Sequence, residues 1–487
     1  MQPARPARLR ELDQLLEREP GVYATRLERA GLLREQGRFE EAKADYLELI
    51  RRRPDDFTAL NDFGALVLKA GYSEAARSLF GEAVRHHPDN PNGHVNLANL
   101  LYLLGEHHTA HGHFETALRL DPGHIHAQRG MANLLSELGD HSGARRHRDL
   151  GFTGHAVTRL PYRGEASPIN VLLLVSAAGG NIPTDALIDD RVFQTTVLVA
   201  EYADPEGPLP PHDVVFNSIG DADLCREGLQ ASRSLVARSR RPVVNDPGVV
   251  LKSGRMANSE RLRGLPDVVV PRMATVGRQT LVGTHGVSAV LELGFKFPLL
   301  LRSPGFHTGR HFVRVETADA LASAATALPG DELWVIEHLG ARDGAGMFRK
   351  YRVMTVGGRL FPLHLAVSRN WKVHYFTADM ADHPDHRALD ALFLQDIASI
   401  GGKGVRALER LCRELALDYG GMDFGLNAAG EILFFEANAT MVVQPPALDP
   451  KWMYRRPAVE AVLQAVGKML HDRGRGEELR ADCGGGA

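Results

Sequence analysis

"FTALNDFGALVLKAGYSEAARSLFGEAVRHHPDN" (residues 57–90) is built on the same plan as the segments on either side of it. Units of 34 residues stack without a gap over residues 23–56, 57–90 and 91–124, and a fourth, starting at Ile125, fades near Gly151. Small residues stand at the eighth place of each unit (Ala30, Gly64, Ala98) and at the twentieth (Ala42, Ala76, Ala110). Glycine holds the fifteenth (Gly37, Gly71, Gly105), an aromatic the twenty-fourth (Tyr46, Phe80, Phe114) and proline the thirty-second (Pro54, Pro88, Pro122). Small residues let two helices cross closely, glycine ends the first helix, and proline stops the second. The pattern predicts stacked helix pairs.

These units resemble tetratricopeptide repeats, whose arrays carry their first helices on a concave face suited to a peptide or extended chain. Asn61, Asn99, Tyr102, Arg129 and Asn133 fall on that face. Arg129 and Asn133, four apart, share one side of a helix and resemble a pair that clamps a terminal carboxylate. The resemblance implies a peptide or protein partner in this groove, with Asn99, Arg129 and Asn133 as contacts. A solvated helix face or a dimer interface would read the same way.

The chain's 487 residues suffice for about three domains, and its 44% hydrophobic content supports packed cores. With 57 Lys and Arg against 60 acids, the formal charge of -3 supplies no global field for nucleic acid or an anionic membrane. Cys225, Cys412 and Cys483 have no zinc or disulfide spacing, no apolar run is long enough for a membrane span, and the first residues lack a signal-peptide core. A cytoplasmic protein is expected.

"HAVTRLPYRGEASP" (155–168) breaks the helical pattern and reads as a linker within residues 153–168. Beyond it the class changes. "INVLLLVSA" (169–177) and "HDVVFNSIGD" (212–221) are apolar runs of strand length with helical stretches between or after them, as in a parallel sheet. "FPLLLRSPGFHTGRHFVRV" (297–315) reads as strand, loop, strand, with Arg302 ending the first strand and Gly305 and Gly309 bracketing the loop. "FRKYRVMTV" (348–356) alternates, setting Arg349, Tyr351 and Val353 on one face and Lys350, Arg352 and Met354 on the other.

"GGMDFGLNAAGEILFFEANATM" (420–441) sets two acids and an asparagine among residues that demand burial. In a hairpin turning near "NAAGE", Asp423 and Glu436 can face one another on adjacent strands, and Glu436 and Asn438 point to the same side. Two carboxylates and an amide make an oxygen-only ligand set suited to Mg2+ held with nucleotide phosphates, which would neutralise the buried acids.

Taken in order, these parts resemble the ATP-grasp superfamily over residues 168–470, in particular its ADP-forming carboxylate-amine ligases. The resemblance implies an all-α repeat solenoid (residues 1–152), an α/β pre-ATP-grasp domain (169–272), an α+β ATP-grasp domain (273–472) and a disordered tail (473–487). It implies ATP and Mg2+ as cofactors. Asp423, Glu436 and Asn438 match its metal ligands, and Glu337, His338 and Leu339 its adenine and ribose hinge. Arg302 stands where a lysine usually meets phosphate, Gly305 and Gly309 at the mobile lid, and Lys252 or Arg255 at a further phosphate contact. Arg352 and Arg369 sit in segments that furnish catalytic cations. Gly421 departs from the arginine that several such ligases carry there.

The implied chemistry is transfer of the γ phosphate to a carboxylate, then displacement of phosphate by an amine, with a peptide or a small amine or carboxylate as substrate. A homodimer is compatible with the pattern. A nucleotide-sensing scaffold and an ATP-grasp phosphotransferase are the alternative readings.

Overall fold

Glycine at the fifteenth place of each repeat adopts a left-handed backbone, with φ of +73° at Gly37, +90° at Gly71, +79° at Gly105 and +85° at Gly139. Only glycine takes this conformation without steric cost, so each first helix ends there. The computed structural model describes residues 5–306, 309–340, 342, 344, 346–375, 378–446 and 449–476. It divides into two compact units, Met1–His155 and Ala156–Ala487.

The first unit is all helical: α1 (Arg5–Arg18), α2 (Tyr23–Glu35), α3 (Phe39–Arg52), α4 (Phe57–Lys69), α5 (Ser73–His86), α6 (Pro91–Leu103), α7 (His107–Leu120), α8 (Ile125–Glu137) and α9 (His141–Phe152). The side chains of Asp56, Asn90, His124 and Asp140 accept backbone N–H bonds at the starts of α4, α6, α8 and α9, satisfying donors that have no partner within the helix. The small residues permit the close crossings predicted for them. A Cβ built on Gly64 would come within 2.6 Å of the Phe80 ring, and Ala42, Ala76 and Ala110 are fully buried.

A polar contact recurs with the period. Arg26 donates to Asp45 (2.8 Å) and to the Pro20 carbonyl (3.0 Å). Sixty-eight positions on, His94 meets His113 (3.0 Å) and the Pro88 carbonyl (2.9 Å). In the next unit Gln128 meets His147 (2.5 Å) and the Pro122 carbonyl (2.8 Å). The second unit has Leu60 and Leu79 at the corresponding places.

The second unit is rich in sheet. Its first sheet joins β1 (Val157–Arg159), β2 (Ile169–Val175), β3 (Phe193–Val199), β4 (Val214–Asn217) and β5 (Val243–Val244) in the order β1-β3-β2-β4-β5. All pairs except β1·β3 are parallel. The segment expected to be a linker therefore contributes an edge strand, because Val157–Arg159 pairs with Thr196–Leu198.

A short strand, β6 (Val268–Val269), leads into a four-stranded antiparallel sheet of β7 (Met273–Gly277), β8 (Leu299–Arg302), β9 (Phe312–Val315) and β10 (Glu332–Glu337). The third sheet is β12 (Arg359–Ser368), β11 (Phe348–Val356), β13 (Tyr419–Leu426), β14 (Ile432–Asn438) and β6, in that spatial order. β6 pairs with β14, so the boundary expected at residue 272 cuts through a sheet. The last helix, Arg456–Arg475, runs past Arg473, where the tail was expected to start, and residues 477–487 lie outside the described part. Among the described residues no helix is long and apolar enough to cross a membrane.

Candidate functional site

The Gly357-Gly358 turn and the Asn427–Gly430 turn set the register of two hairpins that share one sheet. Both hairpins carry a β-bulge at the same level. Val353 faces Pro362 but Arg352 faces His364, leaving Leu363 as the extra residue. Phe424 faces Phe434 but Asp423 faces Glu436, leaving Phe435 as the extra residue. Arg352 and Asp423 are themselves partners. The two bulges therefore align His364, Arg352, Asp423 and Glu436 in a row across four strands. Bulges are a common means of re-aiming side chains beside functional sites.

This row forms part of the wall of a cavity of about 1180 Å3. Of the residues singled out in the sequence, Arg255, Arg302, Gly309, Glu337, His338, Leu339, Arg352, Asp423, Glu436 and Asn438 all line it. Gly305 borders a small adjoining recess that also touches Arg255, Arg302 and Asn438. His307 and Thr308, in the middle of the expected lid, lie outside the described residues. Arg369 is not brought to this lining: β12 ends at Ser368, and the exposed Arg369 gives its N–H to Asp379 (2.8 Å). Lys252 is exposed.

The acids expected to meet a metal are paired here with the protein's own cations. Arg352 grips Asp423 through Nε (2.6 Å) and Nη2 (2.8 Å), and Lys350 adds a third bond of 3.0 Å. Arg255 meets Glu436 at 2.6 Å. Burial alone would raise Asp423, but Arg352 and Lys350 outweigh it and hold the carboxyl far below its ordinary range. Burial likewise opposes ionisation of Glu436, and Arg255 overcomes it, bringing this carboxyl below its usual value. Both acids are thus carboxylates at neutral pH.

Asn438 donates from Nδ2 to Glu436 (2.8 Å), while its oxygen accepts from the Thr440 N–H (3.0 Å) and hydroxyl (2.9 Å). Among the described residues no group of three or more His, Cys, Asp or Glu is arranged to hold a metal. The donor set is two adjacent carboxylates plus one amide, the hard-oxygen chemistry that suits Mg2+, and a metal would have to share or displace the bonds from Arg352, Lys350, Arg255 and Thr440.

Around these acids the wall is basic, with seven Lys and Arg against three acids among the described residues. Arg302, buried beside Arg255, is pushed down to about 10, by desolvation first and then by that neighbouring charge. It donates to the Phe306 carbonyl, and its Nε has no partner among the described residues. Glu337 closes its strand against Arg272, whose N–H it accepts (3.0 Å). His338 is lowered by burial and stands edge-on to Trp371, with ring centres 6.4 Å apart.

Gly421 has a physical reason for its departure: a Cβ there would meet Met441 Sδ at 2.5 Å and Met354 Sδ at 2.9 Å, so the methionines occupy the room an arginine would need. The sequence reading missed His364, Trp452 and Arg455 as parts of this wall. His364 was within reach, since counting back from the Gly357-Gly358 turn places it within one position of Arg352's partner.

In the first unit the proposed clamp is not open. Arg129 donates to the carbonyls of Gly151 and His155 (both 2.9 Å) and lies over the Phe152 ring at 4.2 Å. Its fork closes the end of α9, whereas Asn99 and Asn133 are exposed.

A tetratricopeptide-repeat family model matches residues 9–57, 27–91 and 61–125. Solved structures similar to the chain include MamA from Desulfovibrio magneticus RS-1, with 20% identity over 28% of this chain and 78% of that one and a TM-score of 0.27. Pseudomonas aeruginosa pilF is similar at 20% identity over 30% and 75%, with a TM-score of 0.28. A tetratricopeptide repeat protein from Parabacteroides merdae ATCC 43184 is similar at 20% identity over 29% and 56%, with a TM-score of 0.27. No curated protein matches the chain. Residues 9–125 are tetratricopeptide repeats, followed by a region rich in β sheet.

Proposed function

We propose that the second unit is an ATP-dependent, ADP-forming carboxylate-amine ligase of the ATP-grasp type. One observation carries the reading: side chains from well-separated segments converge on one basic cavity, where two ionised carboxylates stand side by side. A wall with excess cations suits a polyanion, and paired carboxylates within it suit the divalent ion that accompanies phosphates. Glu337, His338 and Leu339 would hold the base and ribose, Arg255 and Arg302 the phosphates, and Asp423, Glu436 and Asn438 the metal. When bound, Mg2+ would supply charge neutralisation of the transferring phosphoryl group.

Arg352 touches Asp423 with two nitrogens. Its role would be to keep that carboxylate ionised and aimed, with its remaining charge available to an anionic intermediate. No nucleophilic side chain is required, since the attacking group belongs to the substrate. The repeats would bring a peptide or protein substrate, with Asn99 and Asn133 as contacts. Cytoplasmic location accompanies the reading.

A second reading has an observation in its favour. Protein cations already pair with both acids, so a scaffold that uses no metal would not leave those charges bare. Calorimetric titration of ATP into the full chain, with and without Mg2+, decides between them. Metal-dependent binding that is lost in Asp423→Asn supports the ligase; no binding to the intact protein leaves the repeat scaffold.

A further inference from the structure

The row His364-Arg352-Asp423-Glu436 has unlike ends. At the β14 end Arg255 pairs with Glu436, and the charge of Arg302 acts on the same carboxylate. At the β12 end the cavity becomes apolar and aromatic, lined by Leu363, Val373, Tyr375, Met380, Trp452 and Val459. The rings of Tyr375 and Trp452 stand 6.0 Å apart at 60°, and those of His364 and Tyr375 lie 4.7 Å apart.

Arg455 also lines this end and lies over the Tyr375 ring at 4.0 Å. Its nearest acid, Asp390, is fully buried and already accepts from the Leu365 N–H (2.7 Å), the Tyr375 hydroxyl (3.2 Å) and the Tyr454 hydroxyl (2.6 Å). Asp390 reaches Arg455 only at 4.0 Å. The Arg455 Nε is buried and has no hydrogen-bond partner among the described residues, and the same is true of His364 Nε2. Burying donors without partners is costly, and a guanidinium with unused donors suits a carboxylate. His364 is lowered well below its ordinary value, by burial first and then by Arg352. The positive charge at this end therefore belongs to arginine and lysine.

We propose that this end of the cavity is an acceptor subsite for an apolar organic acid, its carboxylate on Arg455 and its apolar group against Tyr375 and Trp452. The proposal rests on the ligase reading for the word acceptor, and on the cavity wall for the ligand's chemistry. The terminal residue of a peptide, when aliphatic or aromatic, is such an acid. Asp390 serves as the anchor of the subsite, fixing both tyrosines with one carboxylate. The carboxylate gripped here is a handle and not the group that takes phosphate, because Arg455 packs on Tyr375 beside His364 of β12, whereas the phosphate cation Arg255 meets Glu436 on β14.

The test is calorimetric titration of the full chain with N-acetyl-L-phenylalanine, and with its primary amide as an uncharged twin. The acid should bind about tenfold more tightly than the amide, the scale of one charge-assisted hydrogen-bonded contact. Arg455→Met should bring the two within about twofold of each other, while Trp452→Ala should weaken both alike and preserve their ratio. Absence of acid binding, equal binding of the amide, or a preference that survives Arg455→Met each overturns the subsite. ATP with Mg2+, titrated in parallel, reports on the nucleotide reading separately. Acid binding without ATP binding would uphold the subsite and sink the ligase, and ATP binding without acid binding would do the reverse.

Discussion

Asp423 and Glu436 lie directly opposite each other on β13 and β14, at a level where an unbroken hairpin would have set Phe435 across from Asp423. The extra residue turns a carboxylate into the place of a phenyl ring, and Arg255 and Arg352 compensate the resulting repulsion. If the second unit is the ligase proposed above, Glu436→Ala and Asn438→Ala lower its ATP turnover by about a hundredfold or more, the range in which transition-state charge contacts fall. ADP release assays would measure this. Circular dichroism should show the helical content retained, and unchanged turnover in both variants would refute the assignment.

Arg352→Met leaves Asp423 buried with Lys350 as its remaining cation. Removing one member of a buried pair costs on the order of 3 kcal/mol, because the other charge stays desolvated. The sign with pH follows from the depressed carboxyl. Its contribution is present above the ordinary carboxylate value and is lost as pH falls through the lower folded value. The variant should therefore be less stable to urea at neutral pH and should lose less on acidification than the parent. Adding Asp423→Asn should restore part of the loss, which a double-mutant cycle would show.

The His94-His113 contact makes the third repeat sensitive to acid. The Pro88 carbonyl can only accept, so His94 donates to it through Nε2, and its Nδ1 meets Nδ1 of His113. A charged His113 would be held half-buried beside His94, which its surroundings disfavour. His113 is lowered by burial and then by His94, and His126 and His147 are lowered by burial first. Their folded values lie below the ordinary value of about 6.5, so the stability they confer is complete above about pH 6.5 and is lost as pH falls through the folded values. Amide protection factors in α6 and α7 should fall over that interval. His94→Leu with His113→Leu, copying Leu60 and Leu79 of the second repeat, should flatten the response; an unchanged pH profile would count against the pair.

Two glycines in one helix pair should respond in opposite directions. Gly64→Ala drives a methyl into the Phe80 ring, 2.6 Å from its nearest carbon, and is expected to destabilise the array by about 2 kcal/mol. Gly81 lies within α5 and has open space around a built Cβ, so Gly81→Ala should stabilise it by roughly 0.5–1 kcal/mol through helix propensity. Thermal melts followed by helical ellipticity would distinguish the two, and equal shifts would contradict the close crossing.

The repeat half was legible because its signals are local and recur. Gly37, Gly71 and Gly105 end helices by a backbone conformation that their own residue type makes cheap, and Ala42, Ala76 and Ala110 mark crossings by size alone. Arg129 was misjudged because its role depends on Gly151 and His155, which lie beyond the helix whose face was being read. In the second half the hairpins, the alternation of β11 and the turn at "NAAGE" could be read from residue order. Val157–Arg159 could not be read as a strand, because its partner lies 37–41 residues away in β3.

The sequence by itself determined the helical period and the presence of acids and cations in strands that had to be buried, since propensity, residue size and period-two alternation act between near neighbours. Tertiary structure decided which of those charges meet. Inserting Leu363 and Phe435 into their ladders shifts the register by one residue, and a shift of one reverses which side chains face the cavity. Arg255 reaches Glu436 from 181 positions away, and Arg455 joins the opposite end of the cavity from the turn just before the last helix. Such meetings depend on how sheets and helices pack, because a Coulomb contact is set by distance in space and not by distance along the chain.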